Sequence, residues 1–285
     1  MRNSILLAML SAATAAAHAA AYETSATTHP AGTQLPGILT GIALFLLLET
    51  AVIYLTFRPW FHNPNLPSPL PERYFHAAIY SFVAMVVTGA ILTFTFAKPD
   101  LATTPLMAYY GYNNVCVVFD NPPSTYICPV YWFFAAYLIV RYAVEDTKRL
   151  VRLTSIGPGE KAAAYSVNVI LVLVAAFFSL CLAIRPELDM KGHTLPFVAL
   201  ILILPVVSLM HCIQCRERSG IYLAGVGAYL VLSFSKAIFD IYALTSGSHV
   251  PPPIAQTVDF LWLACALGAP FLVPAPAISA ALATA

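Results

Sequence analysis

Four ionisable groups lie where an apolar sequence should not carry them. Glu49 sits inside LFLLLETAVIYL, Lys236 and Asp240 in the second half of IYLAGVGAYLVLSFSKAIFDIYALT, and Asp259 inside the last apolar run. A charge in hydrocarbon costs several kcal/mol unless it is paired, hydrated or able to reach the interface, so each is a candidate for function. Lys236 and Asp240 are four residues apart, which puts them on one helical face. An ammonium beside a carboxylate holds that carboxylate ionised, whereas Glu49 has no cationic neighbour in sequence and is the better candidate for a protonated acid. Acids set to different protonation states by their surroundings are the raw material of general acid–base chemistry. The candidate catalytic set is therefore Glu49, Asp259 and Asp240, expected to face one shared interior space rather than lipid or solvent, with Lys236, Trp262, Tyr242 and Phe239 as candidate pocket residues. Each has a structural alternative. Lys236 could snorkel to headgroups, the aspartates could be interfacial residues at helix ends, and Glu49 could hydrogen-bond a neighbouring helix. Arg141 and Glu145, also four apart, are read as a structural or snorkelling pair.

These residues must be carried by membrane helices. The 285-residue chain is 60% hydrophobic and 9% charged, against roughly 25% charged for a soluble domain. A net charge of +1 gives no electrostatic footprint for nucleic acid. Residues 1–20 read as a signal peptide, with Arg2, an apolar core and Ala17-His18-Ala19 as the cleavage pattern. A luminal lead over 21–36 follows, then a seven-helix transmembrane domain over 37–274 and a flexible cytosolic tail over 275–285. The seven runs are about 37–57, 74–97, 129–146, 162–184, 194–213, 220–245 and 254–274, each near the ~20 residues needed to span. Pro- and Gly-rich breaks such as RPWFHNPNLPSPLPER separate them. Arg58, Arg73, Lys148, Arg149, Arg152, Lys161, Arg216 and Arg218 fall in one set of loops, and Lys98, Arg185 and Lys191 in the other. That bias places the N-terminus outside, luminal in an endomembrane such as the endoplasmic reticulum. At 1.5 Å per residue, Lys236, Asp240 and Asp259 then lie at similar depth toward the outer side.

The longest outer loop, 98–128, is semi-apolar and is expected to fold back over the outer mouth. It holds Cys116 and Cys128, a candidate disulfide in an oxidising compartment. His211-Cys212-Ile213-Gln214-Cys215 lacks a second ligand pair at finger spacing, so no metal site is assigned, and its thiols are read as reduced or palmitoylated. Asn168, Thr88, Thr93 and Thr95 are read as interhelical hydrogen-bonding groups.

In size, helix count and isolated intramembrane carboxylates such as Glu49 and Asp259, the chain resembles the small integral-membrane terpene cyclases of fungal meroterpenoid pathways. That resemblance implies an enzyme of secondary metabolism that takes a lipophilic prenyl substrate, most naturally an epoxide, from the bilayer. It implies protonation by Glu49 or Asp259 and cyclisation with no metal or organic cofactor. Two other classes compete. A seven-helix receptor or sensor would use Arg141-Tyr142 near the inner end of the third run, with a retinal-type Schiff base on Lys236 as a sub-case. A transporter would use Glu49 as a proton or cation relay.

Overall fold

The computed structural model describes residues 34–273 apart from 64, 155 and 215–219; the expected signal peptide, most of the luminal lead, the tail and Cys215 lie outside the described residues. The described residues are helical, with no strand. Among the described residues six helices are long and apolar enough to cross a membrane: α1 (Leu35–His62), α2 (Pro71–Leu92, continued by a π turn, Thr93–Ala97), α4 (Ser124–Arg152), α5 (Pro158–Ala183), α6 (Met190–Gln214) and α7 (Gly220–Ser246). Between α2 and α4 lie a short α3 (Pro105–Tyr110) and a 3-10 turn, Val115–Val118. The last apolar run, expected as one helix over 254–274, is instead α8 (Pro252–Leu267) and a one-turn α9 (Ala269–Leu272). Pro270, which has no N–H to donate, sits in the first turn of α9 just beyond the break at Gly268. At 16 residues, α8 measures about 24 Å, short of the ~30 Å hydrocarbon core.

Proline sets where several helices begin. Pro36, Pro71, Pro105, Pro158 and Pro252 occupy first turns, where the missing N–H would have had no intrahelical partner and the fixed φ suits the helix. Thr104 caps α3 by accepting from the Met107 N–H at 3.1 Å, and Gly111 ends it at φ 74°.

Helices α2 and α4 form the principal contact of the bundle. The chain then continues around through α5, α6, α7 and α8, and α8 and α9 return to α2 to close the ring. Helix α1 stands outside that ring, against α2 and α4. Its most apolar stretch is only 11% buried, against 72% for α6, so most of α1 is available to face lipid. Glycine lets it approach. A Cβ on Gly41 would sit 2.6 Å from Ile127 Cγ1 of α4, and one on Gly37 would meet Pro123 at the same distance.

The 98–123 loop folds back onto the bundle, burying Tyr110, Tyr112, Val117, Val118 and Phe119. It is anchored by Thr93 Oγ1, which donates to the Val118 carbonyl at 3.0 Å and lies 3.1 Å from Ser124 Oγ. The expected disulfide within this region does not form: Cys116 and Cys128 are both free and buried. Cys116 turns toward Cys181, whereas Cys128 on α4 faces the Met85 carbonyl of α2.

Candidate functional site

Helix α7 presents one polar face to the interior. Tyr229, Ser233, Lys236 and Asp240 follow the i, i+4, i+7, i+11 pattern of a single helical face and are all buried. From α8, Asp259 and Trp262 are buried against them. Lys236 Nζ lies 2.7 Å from Asp259 Oδ1 and 3.2 Å from Asp240 Oδ2, so one ammonium joins two carboxylates from consecutive helices. None of the three side chains exceeds 4% exposure. A charge group so enclosed is held only by its own pairing. The Phe197 ring of α6 lies over Lys236 at 5.6 Å and meets Trp262 edge-on at 5.5 Å. The folded-back loop closes the remaining side with Tyr110, whose hydroxyl is 2.9 Å from Thr194 Oγ1, and Tyr112. Burial pushes both phenols above their ordinary range, and the facing Asp240 adds to this at Tyr110, so both remain neutral. The Tyr229 and Ser233 hydroxyls and the Trp262 indole N–H are buried without a hydrogen-bond partner among the described residues. They continue the polar face of α7 and α8 into the bundle.

Glu49 is elsewhere. It is buried on α1 where that helix meets α2, and Ser81 Oγ donates to its Oε2 at 2.8 Å. Its other oxygen, Oε1, is buried with no partner among the described residues. Nearby, Phe45 of α1 packs edge-on against Tyr131 of α4 at 4.9 Å, and the Tyr131 hydroxyl is 2.8 Å from Thr88 Oγ1. Helix α1 packs on α2 and α4, whereas α7 pairs with α6 and α8. Asp240, Asp259 and Lys236 are thus brought together, but Glu49 occupies a different interface, so the expectation that the three acids face one shared interior space is not met.

Two of the expected pocket residues do not face the interior as the sequence reading supposed. Tyr242 is 46% exposed, and Phe239 is only partly buried at the edge of the core. Both follow from the helical screw. With Lys236 and Asp240 inward, Tyr242 lies two residues, or about 200°, beyond Asp240 on the opposite face, and Phe239 falls on the flank.

A second buried polar group, at the opposite end of the bundle from the 98–123 loop, was not anticipated. Arg149 of α4 pairs with Glu72 of α2 and Asp146 of α4, and donates to Gln214 Oε1 of α6 at 2.7 Å. Asn168 of α5 donates to Asp146 Oδ2 at 2.9 Å, and His211 Nδ1 of α6 lies 3.5 Å from Glu72 Oε1. Four helices therefore share one network. The available sequence signals were the Asp146–Arg149 spacing of three and the polar Asn168 within an apolar run. Arg141, by contrast, is 36% exposed; it pairs with Glu145 at 3.2 Å and stacks on Tyr74 at 5.3 Å, the structural role expected of it. His211, from the His-Cys-x-x-Cys segment, is committed to the Glu72 network. No family model, no curated protein and no solved structure matches this chain.

Proposed function

We propose that this protein is an integral-membrane terpene cyclase, with Glu49 as the proton donor and a lipophilic prenyl epoxide as substrate. In this reading α8 and α9 together supply a seventh span, and the N-terminus faces the lumen of an endomembrane. The observation that carries the proposal is the setting of Glu49: a buried carboxyl with one oxygen held by Ser81, the other uncommitted, beside the Phe45–Tyr131 pair. A carboxylic acid in an apolar, water-poor site can protonate an epoxide, and aromatic faces stabilise the cation that results. Protonation breaks the C–O bond and leaves a hydroxyl on the substrate. The π electrons of a neighbouring alkene close the C–C bond, and the final cation loses its proton to the carboxylate left on Glu49. The sum is an isomerisation that requires no added cofactor.

The position of α1 supports access from the bilayer. It stands outside the closed ring with most of its surface toward lipid, so a hydrophobic chain can approach Glu49 along the seams between α1 and its two neighbours. Asp240 and Asp259 act here as counter-ions to Lys236, because an acid committed to an ammonium at 2.7 Å has no proton to give. The test is expression in a microsomal host supplied with prenylated epoxides of several chain lengths, followed by product profiling. Cyclised isomers of unchanged mass are expected, and their absence from every epoxide would overturn the reading.

One observation favours a second reading, a receptor or sensor. The Arg149 network ties α2, α4, α5 and α6 at one end of the bundle, and a conformational switch would need such a clasp to open. In that case Arg149→Gln would alter ligand response without altering any product.

A further inference from the structure

Cys116, Cys181 and His193 come from three separate elements, and their ligand-type atoms lie within 4.8 Å of one another, all buried. Cys116 is in the 3-10 turn, where its N–H is fixed by Asn114 Oδ1 at 2.9 Å; Cys181 is in the last turn of α5, and His193 in the first turn of α6. A fourth group, the Asp120 carboxylate, lies 3.7 Å from His193 Nε2.

We propose that these four side chains form a closed structural zinc site that staples the 98–123 loop to the ends of α5 and α6. The imidazole is already set for it. His193 Nδ1 faces the Ile184 carbonyl at 2.9 Å. A carbonyl can only accept, so Nδ1 carries a proton, and in the neutral ring that binds a metal the Nε2 lone pair is turned to the thiols and Asp120. Backbone or carboxylate partners of this kind orient metal-bound histidines generally. The spacing suits a tetrahedral ion: bonds of about 2.0–2.3 Å place neighbouring ligand atoms roughly 3.3–3.8 Å apart. The two thiols and His193 Nε2, all within 4.8 Å of one another, need to close by about 1 Å at most to reach that range, and the Asp120 carboxylate, 3.7 Å from His193 Nε2, would turn in to complete the set. Binding releases the two thiol protons to solvent; the two thiolates neutralise the dication, and the slightly exposed Asp120 carboxylate carries the one negative charge that remains. Two thiolates, an imidazole and a carboxylate are a donor set that favours zinc over hard oxygen-seeking cations. With four protein ligands the ion has no open position, so it holds structure and takes no part in protonation by Glu49. Its mechanical consequence is to fix the loop that carries Tyr110 and Tyr112 over the Lys236 group.

The test uses the full chain, purified in detergent without chelator and analysed for metal. One zinc per chain is expected, and loss of at least tenfold of that content in Cys116→Ser and in Cys181→Ser, with Cys128→Ser unchanged. Exchange with cobalt should give a thiolate-to-metal charge-transfer band and the visible absorption of a tetrahedral ion. Should the serine variants fail to fold, the wild-type protein still decides through that cobalt spectrum. Two results would overturn the proposal: zinc content that ignores both substitutions, or non-reducing peptide mapping that finds Cys116 and Cys181 joined as a disulfide.

Discussion

Replacing Lys236 by methionine removes one charge and leaves two buried carboxylates facing each other. The side chain is close in length, so packing changes little and the loss is electrostatic. At an effective dielectric of about 20, an ammonium at the observed 2.7 and 3.2 Å is attracted by roughly 6 and 5 kcal/mol. Most of that gross attraction offsets the cost of desolvating three charges, and stranding partners of a buried ion pair typically costs about 3–5 kcal/mol. Lys236→Met should therefore destabilise the folded protein by about that amount. Denaturation of the purified protein in mixed micelles measures it, with helicity and tryptophan emission as parallel probes. The triple variant Lys236→Met/Asp240→Asn/Asp259→Asn separates charge from shape. With no net charge left behind, it should return to within roughly 1 kcal/mol of the wild type, as neutral replacements of buried charge groups often do. A single variant within about 0.5 kcal/mol of the wild type, where surface substitutions fall, would refute the reasoning. So would a triple variant as unstable as the single one, since the defect would then lie in packing.

Three further outcomes follow from the same geometry. Arg149→Met should cost about 3–5 kcal/mol, because it strands buried Glu72 and Asp146, whereas Arg141→Met at its half-open site should cost under about 1 kcal/mol; equal effects in the same denaturation assay would contradict this ordering. Gly89→Ala would place a Cβ 2.8 Å from the Val118 carbonyl oxygen, and backbone cannot rotate aside, so a loss of about 1–3 kcal/mol is expected by thermal unfolding. Ser81→Ala removes the hydrogen bond that orients Glu49 and should lower turnover roughly three- to tenfold with KM unmoved, read from steady-state kinetics; a change in KM alone would assign Ser81 to substrate binding.

What could be read from the sequence was what local spacing encodes. The apolar runs located every long helix, because hydrocarbon demands length and an internally bonded backbone. The i, i+4 pair Lys236 and Asp240, with Asp259 at matching depth on the next run, foretold the part of the cluster that the fold assembles around one ammonium. Glu49, expected to share that space, lies at the interface of α1 with α2, because sequence position says nothing of which neighbours a helix packs against. The same reasoning failed for Tyr242, since matching depth says nothing of which face a residue takes. It failed for the last run, where Gly268 and Pro270 divide a stretch whose composition is apolar throughout. The Arg149 network escaped notice because its partners, Glu72 and Gln214, are 77 and 65 residues away and resemble ordinary charged helix ends. Cys116 was matched with Cys128 because both lie in the same segment, but Cys128 is on α4, facing α2, while the loop carries Cys116 to Cys181 and His193. Such partners depend on how the ring of helices closes, which no local pattern records.

The central claim is that Glu49 supplies the proton. Its most direct test is turnover of a prenyl epoxide by microsomes carrying Glu49→Gln, which keeps the side chain's size and its bond to Ser81 but has no acidic proton. At matched expression, the account predicts no cyclised product from Glu49→Gln, while Glu49→Asp retains a measurable fraction. Full turnover by Glu49→Gln would contradict it.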